Sequence, residues 1–388
     1  MISLNPGAGR KVKIVRIIAR MNVGGPAIQI STIMKGLPEG EFEQLLLTGN
    51  CGTDELDYLD LHKIYLPKFD IPSFGRSINF LADLRALLLI RRQIVDFAPD
   101  IIHTHTFKAG VLGRIASLTI RSRVIRIHTF HGHLLQGYLK GFKLLILLQI
   151  ERFLAARTDV LVCVGHRVME ELLSKGIGNR EQYRIIPPGF PIDSATERDA
   201  LPRAKSDREI EFKTAWVGRI VDVKKPERVL EIAKRLQEQK SNVRIFVVGD
   251  GPLRESLERR SRSEDLPISF MGWQSDIHKI LTEVDVLFLT SANEGTPISI
   301  IEAQRLGRPV IATDVGSVSE VMIPNESGFI LDYNSEAFAE KLELLAKNEE
   351  LFIRLSFKAK EFASNRFSSE RLVNNHIELY RDSIRRAK

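Results

Sequence analysis

Cysteine is scarce in this chain: its 388 residues hold two, Cys51 and Cys163, in loop or apolar surroundings. Neither has a partner at metal-ligating spacing, which argues against a disulfide framework or a zinc site and for a reducing compartment. Long apolar runs are missing as well. Residues 144–150, the longest such run near mid-chain, fall far short of the ~20 residues that cross a bilayer. The leading MISLNPGAGRKVKIVRI lacks the apolar stretch of a signal peptide, so a cytoplasmic protein is expected. Asp-x-Asp is absent, and no oxygen ligands cluster at short spacing for a divalent cation. No metal and no other cofactor is therefore expected.

An apolar fraction of 44% and a charged fraction of 27% are those of an ordinary globular protein. The length predicts two domains. Net charge is +7 and unevenly placed: residues 1–190 carry 25 Lys and Arg against 16 Asp and Glu, and residues 191–388 carry 31 against 33. A basic first half suits an anionic partner or an anionic lipid surface, or is plain solubility charge.

Along the chain, strand, turn and helix alternate. Residues 11–19 read as a strand, and Gly24-Gly25-Pro26 as the turn into a helix carrying Ala27, Ile30, Ile33, Met34 and Leu37 at helical spacing. A Gly-Gly turn at a helix start is either an anion site or simple punctuation; its spacing is not that of a dinucleotide fingerprint. Residues 80–95 read as a helix, and 100–105, 123–127, 159–164 and 184–186 as strands. Pro187-Pro188 and the polar stretch to Asp207 read as a linker. A second series begins at residues 212–219, with further strands at 243–248, 268–270, 286–289 and 310–312, and only helices beyond Ser335. Such alternation predicts parallel sheets with helices on both faces, in two domains facing across a cleft.

The second half gathers the chemistry. Arg219, Lys224 and Lys225 follow one strand end, and Gly249, Asp250 and Gly251 form a turn after another. Glu294 and Glu302 stand eight residues apart across Gly295-Thr296-Pro297 and the helix opening with Ile298; that helix is expected to turn Ile298, Ile301 and Leu306 inward. Cations and free N–H groups suit a diphosphate, and a carboxylate accepting two hydroxyl hydrogen bonds suits a ribose. In the first half, His103, His105, His128, His131 and His133 fall at two strand ends. As H-x-H pairs they could hold metal, but no Cys, Asp or Glu completes a ligand set. His103 and His128 are read as structural, and His131 as a substrate contact.

These residues resemble the retaining family 4 glycosyltransferases of GT-B fold. The carrying motifs are Val217-Gly218-Arg219 with Lys224, Val248-Gly249-Asp250-Gly251-Pro252, Glu294-x7-Glu302, residues 311–320, and residues 325–329. The match is close over roughly residues 215–332 and looser at Gly24-Gly25, residues 100–105 and residues 129–132. The resemblance implies an acceptor-binding Rossmann-like domain at 1–190, a donor-binding one at 191–365, and a helix at 366–388 packing back on the first. It implies a nucleotide-diphosphate sugar, of UDP type, as donor and a saccharide or lipid-linked saccharide as acceptor, in cell-surface polysaccharide or glycoconjugate synthesis, with no nucleic acid as partner. Arg219 and Lys224 would neutralise the diphosphate, Glu302 would hold the ribose, and Glu294 and His131 would meet the sugar. Gly24 and Gly25 would lie against the phosphates or acceptor, and Gly249, Asp250, Gly251, Gly295, Thr296, Pro297 and Ile298 would complete the donor site. The chain departs from the pattern at Thr296-Pro297, where Phe-Gly is usual, at Ser317, where a second glycine is usual, and at Lys225, where a small residue is usual. A non-hydrolysing UDP-N-acetylglucosamine 2-epimerase and a non-catalytic sugar-nucleotide-binding subunit are the alternatives. Lys140, Lys143 and Arg152 around the apolar helix near residue 144 suggest peripheral contact with an anionic membrane at its inner face, or else that helix is core.

Overall fold

Ile14, Val15, Ile17 and Ile18 flank Arg16 in the middle of β1 (Val12–Arg20), and all five are almost wholly buried, as a strand covered on both faces must be. Pro26 then starts α1 (Gly25–Gly36), where its missing N–H costs no helical bond. The computed structural model describes residues 10–52, 55–75, 79–132, 142–191 and 205–387. The chain divides into one unit of Met1–Pro191 with Phe367–Lys388 and another of Ile192–Arg366.

In the first unit, α1 leads to β2 (Phe42–Gly49), α2 (Tyr58–Leu61) and β3 (Lys68–Asp70), none of the last three anticipated from the sequence. Then come α3 (Phe80–Phe97), β4 (Ile101–His105), α4 (Phe107–Leu118), β5 (Ile125–Phe130), α5 (Phe142–Ala155), β6 (Val160–Cys163), α6 (His166–Ser174) and β7 (Tyr183–Ile185). Helix α3 starts where the Asn79 side chain accepts a hydrogen bond from the Ala82 N–H. The sheet runs β3-β2-β1-β4-β5-β6-β7, all parallel. Strand β5 begins later and runs three residues further than expected. His128 and Thr129 look like loop residues, yet each is buried in the strand because a neighbouring hydroxyl or imidazole satisfies it.

The second unit holds α7 (Lys205–Ile210), β8 (Phe212–Val217), α8 (Glu227–Glu238), β9 (Val243–Val248), α9 (Arg254–Ser263), β10 (Ile268–Gly272), α10 (Ile277–Glu283) and β11 (Val286–Leu289). It continues with α11 (Ile298–Arg305), β12 (Val310–Thr313), β13 (Gly328–Leu331), α12 (Ser335–Lys347) and α13 (Glu349–Arg366). The sheet order is β10-β9-β8-β11-β12-β13, again all parallel. Helix α11 corrects one expectation: Ile300, Ile301 and Leu306 are fully buried, and Ile298 is only half-buried. Pro297 is still extended at the helix cap, which places Ile298 on the rim of the first turn.

The last helix, α14 (Ser369–Ala387), belongs to the first unit. Its Leu372, Leu379, Tyr380 and Ile384 pack with Ile33 and Leu37 of α1 and with Ile14, Ile101 and Ile127 on one face of the sheet. Helices α3 and α4 cover the opposite face around Ala86, Ile90, Ile94 and Ala109. The expected linker residues 192–204 and His133 lie outside the described residues.

Each sheet reverses its winding once, between β1 and β4 in the first unit and between β8 and β11 in the second. Loops leaving the carboxyl ends of the two strands at such a point part in opposite directions and leave a crevice, where doubly wound sheets take ligands.

Candidate active site

In the second unit, the loops after β8 and β11 are tied together at the winding reversal. The Trp216 indole N–H donates to Thr290 Oγ1 at 3.0 Å, and that hydroxyl donates to the Lys225 carbonyl at 3.2 Å. The Ala292 N–H bonds the Val223 carbonyl at 2.9 Å, and Arg228 donates to the Thr290 carbonyl at 2.8 Å. Thr313, ending β12, donates to the Ser291 carbonyl at 2.7 Å. Three loops thus hold one set of side chains rigidly.

At their centre Lys224 Nζ donates to both oxygens of Glu294, at 2.6 and 2.8 Å. Ser291 Oγ donates to the same carboxylate at 2.5 Å. Glu294 is 7% exposed and the lysine side chain 24%. A buried carboxylate with these three donor contacts is held in one orientation. Gly316 makes the arrangement possible: its φ is +52°, and a Cβ there would lie 1.7 Å from the Glu294 carbonyl oxygen. The Ser317 N–H then bonds the Gly295 carbonyl at 3.2 Å.

Arg219 is exposed at the end of β8, and no carboxylate among the described residues pairs with it. Lys225 differs from Lys224: its amine pairs with Asp222 at 2.8 Å. The turn at Gly249, Asp250 and Gly251 is stitched to the loop after β8, with Ile220 N–H on the Asp250 carbonyl at 2.9 Å. A Cβ at Gly249, whose φ is +136°, would meet the Gly218 oxygen at 2.0 Å. Asp250 itself faces outward, bonding the Gly251 N–H at 2.7 Å and Arg254 at 2.9 Å. Glu302 stands half-buried on α11, one helical stretch beyond Glu294. Pro297 caps that helix with no side-chain hydrogen bond, and the Thr296 hydroxyl is buried with no partner among the described residues.

In the first unit, the two H-x-H strands lie side by side, with His103 opposite Ile127 and His105 opposite Thr129. Arg16, on neighbouring β1, is fully buried and donates to the Tyr380 hydroxyl at 2.7 Å. An arginine only donates, so the hydroxyl donates onward to His103 Nδ1 at 2.8 Å, and the ring's proton sits on Nε2, donating to Thr129 Oγ1 at 2.7 Å. His128 meets Thr104 Oγ1 at 2.8 Å. His105 Nδ1 and His131 Nε2 are 3.0 Å apart, and their outer nitrogens, His105 Nε2 and His131 Nδ1, are buried with no partner among the described residues.

Burial keeps these rings neutral. Desolvation first holds His103 and His105 well below the ordinary histidine value, reinforced by the Arg16 charge at His103 and by the neighbouring His103 and His131 at His105. Desolvation, then Arg114, does the same for His128, and desolvation alone holds His131 at about 4. Among the described residues no three His, Cys, Asp or Glu side chains are grouped to hold a metal ion.

Two family models divide the chain between them. A model of Glycosyltransferase Family 4 matches residues 23–194, and a model of Glycosyl transferases group 1 matches residues 197–362. The chain is a family 4 glycosyltransferase of GT-B fold. It is 26% identical over 359 residues to the Escherichia coli UDP-Gal:alpha-D-GlcNAc-diphosphoundecaprenol alpha-1,3-galactosyltransferase, covering 90% of this chain and 91% of that one. It is 25% identical over 305 residues to the Staphylococcus aureus capsular polysaccharide biosynthesis glycosyltransferase CapM, covering 76% and 80%. Among solved structures, Anabaena HepE in complex with UDP-glucose superposes with a TM-score of 0.76 at 21% identity, covering 95% of this chain and 99% of that one.

In this glycosyltransferase the structure brings Lys224, Glu294, Gly295 and the Gly316 turn into one site and stitches the Gly249 to Gly251 turn to the loop that carries Arg219. Gly24, Gly25 and His131 belong to the other unit. Gly24 caps α1 with no side-chain hydrogen bond. Sequence reasoning missed Ser291, whose only signal was its place three residues before Glu294. It also missed Arg16, Tyr380 and His376, which line the histidine cluster from far along the chain.

Proposed function

We propose that this glycosyltransferase moves a sugar, with retention, from a UDP-sugar to a lipid-linked saccharide, building a cell-surface polysaccharide at the inner face of the membrane. The observation that carries the donor half is Lys224 fixed against Glu294 at the β8/β11 reversal, with Arg219 exposed at the end of the same β8 strand. Lys224 and Arg219 supply the two cations a diphosphate needs, and α11 turns its uncapped N-terminus toward added negative charge. Glu302, on the same helix, receives the ribose hydroxyls.

Charge on the diphosphate grows as the glycosidic bond breaks, so cations already in place stabilise the transition state more than the ground state. Glu294 supports a front-face course without an enzyme nucleophile. Its oxygens are taken by Lys224 and Ser291, which suits it to orienting a sugar hydroxyl and not to attacking carbon. The acceptor hydroxyl then passes its proton to the leaving phosphate. His131, neutral and paired with His105, fits the role of a hydrogen-bonding contact to the sugar. The reading of retention draws on the Escherichia coli relative, whose alpha product matches the alpha bond of nucleotide hexoses; the same relative motivates the lipid-linked acceptor.

A thermal-shift screen of UDP-, GDP- and ADP-sugars tests the donor, since a ligand raises the melting temperature by mass action. The UDP-sugar is expected to give the largest shift, and transfer to a saccharide diphospholipid an alpha-linked product. A larger shift with a GDP- or ADP-sugar, or a beta product, overturns the reading. So does an epimer formed from UDP-N-acetylglucosamine without any acceptor.

A further inference from the structure

Helix α3 is built the wrong way round for a solvent helix. Ala86, Ile90 and Ile94 bury at four-residue spacing against the sheet, as one stripe of a layered unit should. The opposite side would then be polar. Instead Phe80 is 81% exposed, Leu81 67%, Leu88 58%, Val95 52% and Leu84 43%. Leu81, Leu84, Leu88 and Val95 recur at helical spacing and form one outward ridge. Arg85, Arg91 and Arg92 are exposed beside it.

Acids on this face are few. Asp96, 3.6 Å from Arg92, is exposed, and Asp83 is turned inward onto Lys108. The pattern continues on the same side of the sheet, where α4 packs between α3 and α5. There Leu145, Ile146 and Phe153 are also exposed, and the Arg157 guanidinium lies 3.8 Å over the Phe153 ring. Of the cations expected from sequence to serve here, Lys140 and the Lys143 side chain lie outside the described residues, and Arg152 donates to the Lys175 carbonyl at 2.8 Å.

An apolar ridge flanked by arginines is complementary to an anionic leaflet: the ridge enters the headgroup–acyl boundary and the guanidinium groups meet phosphates. A second copy of this chain docking by the same ridge would set arginine against arginine. No helix among the described residues is long and apolar enough to cross a membrane. We propose that α3 is the membrane-docking helix, seating Leu81, Leu84 and Leu88 in an anionic bilayer surface through Arg85, Arg91 and Arg92. This rests on the reading of a lipid-linked acceptor and gives it a physical basis: the enzyme is held at the leaflet that displays the saccharide.

The test is flotation of the full chain with vesicles of phosphatidylcholine alone or with phosphatidylglycerol added. The wild type is expected to float with the anionic vesicles, and less at high salt. Leu84→Glu with Leu88→Glu is expected to lower the bound fraction at least tenfold, and Arg91→Gln with Arg92→Gln at least threefold. Both variants should keep the wild-type melting temperature and wild-type turnover on a water-soluble acceptor, and lose turnover on a vesicle-embedded one. The proposal is overturned if the wild type stays in the soluble fraction, binds neutral vesicles equally, or floats unchanged when α3 is altered. It also fails if the leucine variants instead abolish a dimer seen by sedimentation. Absence of transfer to any acceptor would sink the catalytic reading and leave the flotation result standing, so the two failures are told apart.

Discussion

Lys224 and Glu294 are seventy residues apart in the chain, on loops from two different strands, and the lysine amine meets both carboxylate oxygens at 2.6 and 2.8 Å. Glu294 is nearly out of water and Lys224 is partly buried beside it, so the lysine is what makes the buried carboxylate tolerable. Lys224→Met is expected to lower stability by roughly 1–3 kcal/mol, because Glu294 is left with Ser291 alone. Glu294→Gln in the same chain should recover part of that loss and none of the turnover. Urea denaturation of the two single variants and the double variant measures the coupling; strictly additive losses would mean that the contact is incidental.

Ser291 tests whether orientation of that carboxylate matters apart from its charge. Ser291→Ala removes one donor and leaves the lysine in place. Turnover is expected to fall about tenfold, equivalent to one ordinary hydrogen bond of ~1.4 kcal/mol, with donor affinity changed less than twofold. An equal rise in donor Kd, read by calorimetry, would instead assign Ser291 to binding.

Glu302→Ala separates the two carboxylates. If Glu302 holds the ribose, UDP affinity should drop about ten- to a hundredfold, from charged hydrogen bonds of ~1.5–3 kcal/mol. Turnover of the wild type in EDTA should be unchanged, since Lys224 and Arg219 supply the positive charge. Unaltered UDP binding by the variant, or strict dependence on a divalent ion, would remove these assignments.

The buried imidazoles predict a pH dependence of stability. Burial holds His131 at about 4 and His376 at about 3, against an ordinary 6.5. Between those values the unfolded chain binds protons that the folded chain refuses. Stability therefore rises with pH across that window and levels off above about 6.5. Each such histidine adds a slope of about 1.4 kcal/mol per pH unit inside the window. Denaturant unfolding from pH 4.5 to 8 checks this; a stability that is flat below pH 6 would show that the rings are protonated when folded.

Gly316 is predicted to accept no side chain. Gly316→Ala places a Cβ against the Glu294 carbonyl in a left-handed backbone, and a loss of roughly 2–4 kcal/mol or more is expected, with turnover falling alongside. A variant with wild-type melting temperature and activity would show that the loop has room to shift.

Much of the second unit was legible in the linear chain because its evidence is local. Val286 to Leu289 is a buried run, Gly295 and Gly316 mark turns, and the eight-residue spacing of the glutamates spans one turn and one helix start. Strands β2 and β3 were not legible. β2 has no clean alternation, and three-residue β3 is stabilised by pairing with Leu46 to Thr48 more than by its own composition. Ile298 was misplaced because the inward stripe of α11 depends on where Pro297 lets the helix begin.

The sequence by itself determined the alternation of strands and helices, the positions of the glycine turns and the set of charged groups that a nucleotide sugar would need. Those are consequences of backbone propensity and side-chain chemistry, which act over a few residues. Only the tertiary structure decided which charges meet. It paired Lys224 with Glu294 and Lys225 with Asp222, joined Arg16 to Tyr380 across 364 residues, and turned the leucines of α3 outward beside arginines. Partners of that kind are chosen by sheet order and helix rotation, which no short stretch of sequence contains.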